Sequence, residues 1–277
     1  MTASVPVMRL VDSHCHLQAD RFDSDREAVI ERARAAGVER LLVPGWDLPS
    51  SMAAIELVSR HAWMDAAVGI HPHDAARADA AAWVAIERLA RDQRVRAVGE
   101  TGLDYDRMYS PEAAQLENLR RHLELGLDLA KPVILHCRSK AGSTAAHDAL
   151  LGELDASGIR PGSRRAAPAA VMHSFSGSAE FAAAVLARGL AISISGLAFR
   201  SGEDATLAEV AAMTPPEGLL VETDAPYLSP PGAPRGRNEP EWVRITAEAV
   251  SSARDEPAAR FGDQVVAAYD GVFGRAS

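Results

Sequence analysis

Six side chains able to bind a metal close short apolar runs spread along most of the chain. They are His14 and His16 in VDSHCHL, Glu100 in AVGETGLD, His136 in PVILHCR, His173 in AVMHSF and Asp224 in LLVETDAP. Each run reads as a buried strand, and alternation across a strand would turn His14 and His16 one way and Cys15 the other. Imidazoles and carboxylates without paired thiols suit a hydrolytic, catalytic metal better than structural zinc. Six donors exceed what one tetrahedral ion with an open position uses. A pair of divalent cations about 3.5–4 Å apart, sharing a carboxylate, is therefore expected. Glu100 is the expected bridge, since it comes from the middle of the chain order. Asp224 is the other expected catalytic carboxylate, touching a metal while orienting or deprotonating a water. The donor mixture leaves the ion open among Mg, Mn, Zn and Ni.

Other residues would support this set. Glu222 lies two residues before Asp224 and shares its face, so it is read as the partner of a ligand histidine's free N–H. Cys15 and Cys137 are read as small buried apolar residues. His71 and His73, in VGIHPHD, resemble a second H-x-H, but Pro72 disturbs strand geometry there. His71 is expected to line the pocket and contact substrate or a ligand. His61 and His147 are read as solvated helix residues, and His122 as lying on a helix face. Arg138, two residues past His136, should point into the same pocket. Arg200, Arg235 and Arg237 lie in loops late in the chain. The planar donor fork of arginine suits phosphate, so metals with convergent arginines favour a phosphate ester over an amide. Arg138, Arg200 and Arg235 are the candidate phosphate contacts, and Tyr105 is a candidate stacking surface for a base or sugar.

The elements that must position these groups alternate throughout. Strand-length apolar runs fall near 10–16, 40–45, 66–71, 95–100, 132–137, 170–175, 190–195 and 219–223. Helical patterns fall near 24–36, 49–61, 76–91, 111–130, 141–157, 178–188, 204–212, 239–254 and 257–272. Ser24 and Asp25 are cap candidates for the first of them, and Ser110-Pro111-Glu112 opens the fourth. Eight strands separated by helices predict a (β/α)8 barrel in a single domain over 1–277, with an open doubly wound sheet as the alternative. The barrel is favoured because donors from the ends of runs one, four, five, six and eight would share one rim.

The chain has 277 residues, 47% of them hydrophobic, enough for a sizeable core. A net charge of −9 argues against broad electrostatic adhesion to nucleic acid. It leaves a nucleic-acid substrate open, because bound divalent cations reverse the local sign. Two cysteines make no disulfide framework, so a reduced, cytoplasmic protein is expected. No secretory signal and no membrane-spanning run is expected.

Taken jointly, DSHCHL (12–17), GIHPH (69–73), GETGLDY (99–105), HCR (136–138), HSFSGS (173–178), ISISG (192–196), ETDAPYL (222–228) and RGRNEP (235–240) resemble the TatD family of metal-dependent deoxyribonucleases, in the amidohydrolase superfamily. The resemblance implies a barrel, two divalent cations held by His14, His16, Glu100, His136, His173 and Asp224, and hydrolysis of DNA phosphodiesters. Single-stranded DNA or 3′ ends attacked 3′ to 5′ by a monomer, without a membrane partner, is the expected substrate. The chain departs from the family pattern at Asp106, where a second aromatic is common, at Ser139-Lys140, where an acid often follows the arginine, and at Arg200, where lysine is common. All three positions touch the rim. Two other classes stay open: a hydrolase of esters, lactones or aminoacyl esters on the same cage, and a non-enzymatic scaffold in DNA processing.

Overall fold

The computed structural model describes residues 8–162, 167–199, 207–234 and 236–275. Eight parallel strands hydrogen-bond in sequence order. They are β1 (Leu10–Asp12), β2 (Val38–Pro44), β3 (Met64–Val68), β4 (Val95–Asp104), β5 (Val133–Arg138), β6 (Ala170–Met172), β7 (Ala191–Ile194) and β8 (Leu219–Val221). The helices between them are α1 (Arg26–Ala35), α2 (Leu48–Val58), α3 (Ala80–Leu89), α4 (Glu112–Leu129), α5 (Ala145–Ser157), α6 (Ala179–Ala187) and α7 (Leu207–Met213), and α8 (Val243–Ala253) and α9 (Ala258–Phe273) follow β8. This is a (β/α)8 barrel. Its strands are mostly apolar and covered on both faces, as expected where helices cover a parallel sheet. No described helix is long and apolar enough to cross a membrane.

The barrel closes just beyond the first and last regular strands. Residues 13–16 run alongside 221–225: Ser13 N donates to Val221 O (3.1 Å), Asp224 N to His14 O (2.9 Å) and His16 N to Ala225 O (2.7 Å). The regular strand is thus shorter than the apolar run 10–16. Its extension still brings the two histidines to one point.

Local chemistry sets the helix starts. Asp47 and Ser50 form a reciprocal capping box at α2, and Asp79 and Ser178 cap α3 and α6 through their side chains. Two expected caps are used otherwise. Asp25 precedes α1, but its carboxylate receives both terminal nitrogens of Arg237 at 2.7 Å. Ser110 makes no cap for α4; its hydroxyl donates to His73 O (2.9 Å) and accepts from Ala76 N (3.1 Å), tying two rim loops together. Gly102, at φ +133°, lets β4 lie against β5, because a Cβ there would fall 1.9 Å from His136 O.

Candidate metal centre

The loops after β1 and β8 behave as one unit. The buried Asp12 carboxylate accepts from the N–H (2.9 Å) and hydroxyl (2.5 Å) of Thr223 and from His14 N (3.3 Å). Asn238, fully buried, donates to Thr223 O (2.9 Å) and Tyr227 O (2.7 Å), clasping the turn that carries Asp224. His14, His16 and Asp224 are therefore placed by backbone contacts that their own side chains do not make.

Glu100 stands between two groups of imidazoles. Its Oε2 lies 3.3 Å from His14 Nε2 and 3.5 Å from His16 Nε2. Asp224 Oδ1 completes that group at 3.5 Å from His16 Nε2 and 3.9 Å from His14 Nε2. Glu100 Oε1 lies 2.9 Å from His173 Nε2, 3.2 Å from His71 Nε2 and 3.4 Å from His136 Nδ1. One carboxylate thus serves two sets of donors with different oxygens. His71 reaches Glu100 as closely as His136 does, although its own strand ends at Val68.

The outer nitrogens of these rings have partners of their own. His16 Nδ1 donates to Pro44 O (3.1 Å), and His173 Nδ1 lies 3.3 Å from Glu222 Oε1. His136 Nε2 lies 3.3 Å and His73 Nε2 2.8 Å from Asp104 Oδ2. Sequence reasoning passed over Asp104, although it follows Glu100 by four residues on one strand and could have been placed on the same face. The backbone before His71 is also gripped: His122 Nε2 accepts from Ile70 N (3.0 Å), and Asn118 Nδ2 donates to Ile70 O (2.7 Å).

These contacts test whether the donors fit a cation. With its Nδ1 proton committed to Pro44, a neutral His16 turns a bare lone pair toward carboxylate oxygens. Burial pushes the His16 pKa down to about 3, so the ring is neutral. His173 Nε2 sits 2.9 Å from Glu100 yet makes no hydrogen bond, and His14 Nδ1 and Glu222 Oε2 are also unpartnered. Burial pushes Asp224 well above the usual carboxylate range, with Glu100 and Glu222 adding their charge to the effect. Burial would raise Glu100 too, but His173, His71 and His14 hold it well below. Lone pairs facing lone pairs, and an Asp224 carboxylate short of positive charge, are what a divalent cation relieves. Three groups of donor atoms are close enough to share an ion: His14 with His16 and Asp224, His14 with His173 and Glu222, and His71 with Glu100 and His136.

The outer candidates divide. Arg138 is half-exposed at the mouth, with Nε 3.2 Å from Asp106 Oδ2. Tyr105 is partly buried and packs against the core, while the exposed ring on that loop belongs to Tyr109. Arg237 is spent on Asp25 and Glu239, with its guanidinium 4.7 Å over the Phe22 ring. Arg200 and Arg235 lie outside the described residues. Two histidines read as solvated are covered: His147 is buried and stacks on Phe181 at 4.0 Å, and His61 is mostly covered, 3.6 Å from Glu27. Cys15 and Cys137 are buried and free, as expected of small apolar residues.

A family model described as TatD related DNase matches residues 11–274. The chain is 37% identical over 251 residues to the 3'-5' ssDNA/RNA exonuclease TatD of Klebsiella pneumoniae, covering 89% of this chain and 91% of that protein. It is 34% identical over 249 residues to the uncharacterized metal-dependent hydrolase YabD of Bacillus subtilis, again covering 89% and 91%. Among solved structures, YJJV, a TatD homolog from Escherichia coli, superposes with a TM-score of 0.84 at 28% identity, covering 98% of this chain and all of that one.

Proposed function

Because the chain belongs to the family of TatD-related DNases, we propose that it is a metal-dependent nuclease that removes nucleotides from the 3′ end of single-stranded DNA. The observation that carries this reading is the division of Glu100, with Oε2 toward His14 and His16 and Oε1 toward His71, His136 and His173. That division supports two cations sharing Glu100. His14, His16 and Asp224 would complete one site; His136 and His173, with His71 beside them, the other. When bound, the cations supply Lewis acidity to the phosphate and acidity to the attacking water.

The chain's own residues do the rest. Asp224 accepts the proton of the attacking water; it is held at φ +53° by the turn that Asn238 clasps. Glu222 and Asp104 orient His173 and His136, so the inner nitrogens face Glu100. Arg138 at the mouth stabilises the phosphate charge, since its guanidinium is half-exposed and tethered only at the rim. The buried, unpaired state of both cysteines supports a reducing, cytoplasmic setting.

The test is cleavage of 5′-labelled single-stranded DNA by purified protein with Mg²⁺ or Mn²⁺, with His14→Ala and Asp224→Asn in parallel. Stepwise shortening from the 3′ end by wild type, lost in both variants, is the expected result. Activity restricted to carboxylic esters, or variants as active as wild type on DNA, would overturn the proposal.

A further inference from the structure

Few large apolar side chains are strongly exposed among the described residues, and two of them lie against site histidines. Tyr109 is 67% exposed and meets the His73 ring edge-on at a centroid distance of 4.7 Å. Tyr227 is 51% exposed and meets the His16 ring edge-on at 6.1 Å. They stand on different loops and flank different donor groups. His73 belongs with Asp104 and His136, and His16 with His14 and Asp224.

Both rings sit on backbone that is held rigidly. Around Tyr109, the Asp104 carboxylate accepts from the N–H groups of Asp106 (3.1 Å) and Arg107 (2.8 Å), and Gln115, fully buried, donates to Ser110 O (2.8 Å). The Ser110 hydroxyl adds the tie to His73 O. Around Tyr227, its N–H reaches Asp224 O (2.8 Å) and its carbonyl accepts from Asn238 (2.7 Å). An exposed aromatic on a fixed loop is a preorganised stacking surface, because little freedom remains to be lost on binding. Arg107, two residues before Tyr109 in the chain, and Arg138 are both half-exposed and lean on Asp106 at 3.9 and 3.2 Å. Guanidinium next to exposed ring is the pattern that takes phosphate and base together.

We propose that Tyr109 and Tyr227 are the stacking platforms for the two nucleosides flanking the scissile phosphate. This rests on the nuclease reading and deepens it. Each ring takes the face of one unpaired base, and the phosphate between them is drawn to the metal centre. Bases paired in a duplex cannot present free faces to two separated rings, so the platforms select single strands. They read no sequence, since every base has a π-face.

The experiment measures kcat and KM on a 5′-labelled oligonucleotide and on two copies, one abasic at the 3′-terminal position and one at the penultimate position. On the intact strand, Tyr109→Ala and Tyr227→Ala each raise KM about ten-fold, and Tyr109→Phe and Tyr227→Phe restore it because a phenyl face still stacks. Wild type shows a similar rise on each abasic strand. Each alanine variant adds no further loss on one of the two abasic strands, a different strand for each tyrosine. Equal losses on intact and abasic strands, or no loss at all, with wild type still degrading DNA, would sink the platforms and leave the nuclease reading standing. Wild type that degrades no nucleic acid would remove both.

Discussion

The two ends of the barrel bury charge in opposite ways. At the end away from the metal centre, Arg40 is almost covered, and its charge is answered within the chain. Its terminal nitrogens reach Asp65 at 2.5 Å and Asp270 at 2.6 Å, and its guanidinium lies 4.9 Å over the Tyr269 ring. Asp65 also takes the Tyr269 hydroxyl at 2.9 Å and Arg96 at 3.3 Å. At the C-terminal end, Glu100, Glu222 and Asp224 share their space with histidines of two kinds. Burial keeps His14, His16 and His71 short of protons, while against burial Glu100 and Glu222 hold His173 well above its ordinary value, and Asp224 itself is left pushed up by burial. Both clusters are buried, yet only in the first do opposite charges answer one another, although Arg40 Nε makes no hydrogen bond. A cluster that balances its own charge serves as structure, and one that does not is shaped around something the chain does not encode.

The largest effects should come from breaking the unbalanced end. Glu100→Gln removes the charge both donor groups share. Nuclease activity should fall at least about 10³-fold, with both metal equivalents lost in elemental analysis. His14→Ala should cost less metal, since the group around His136 and His173 keeps its donors. Glu100→Gln retaining full metal content would mean that the carboxylate is not shared.

Breaking the balanced end should do the reverse. Asp65→Ala leaves Arg40 with Asp270 as its remaining carboxylate and leaves the buried Tyr269 hydroxyl without its acceptor. Loss of one partner from a buried ion pair costs roughly 3–5 kcal/mol, to be read from the denaturant midpoint. Metal content and kcat of the folded fraction should stay at wild-type levels. A variant that loses metal before it loses stability would show that the two ends are coupled, and the contrast between them would fail.

Much of this contrast was legible in the order of residues. Strand parity paired His14 with His16 and set Glu222 on the face of Asp224, and the alternation of apolar runs with capped helices predicted the barrel. What escaped were partnerships between distant segments. Ser110 and Asp25 have the composition and place of helix caps, yet Ser110 ties to the His71–Ala76 turn and Asp25 binds Arg237, which lies 212 positions away. Arg237 reads as a loop arginine open to solvent, yet it is spent on Asp25 and Glu239. His122 and His147 fall at helix positions that are polar by type and buried by packing. Asp104 needed only the spacing from Glu100 already used elsewhere.

A third effect, read by pH, comes from a histidine that belongs to neither end. His122 lies outside both clusters, and burial drives its pKa down to about 4. An unfolded histidine titrates near 6.5, so the unfolded chain binds more protons between these values. The stability is fully present above pH 6.5 and is lost as pH falls toward 4. Between pH 7.5 and pH 5 this site should account for about 2 kcal/mol. His122→Gln should flatten the decline by that amount, with the acid sensitivity of the remaining histidines as the common background. Parallel stability curves for the two proteins would mean that burial does not hold His122 neutral.

The smallest effect concerns Arg237, which bridges the loop after β8 to the start of α1. Arg237→Lys keeps the charge but loses the paired contact with Asp25 and the fit over Phe22. A partly exposed pair of this kind is worth about 1 kcal/mol or less, so the melting temperature should fall by a few degrees. KM for DNA should hold within about two-fold, because this guanidinium, unlike that of Arg138, is already committed to two carboxylates. A selective rise in KM without a change in stability would place Arg237 on the substrate side of the comparison. Arg138→Met read in the same assay sets the scale: there KM should rise while the melting temperature stays put.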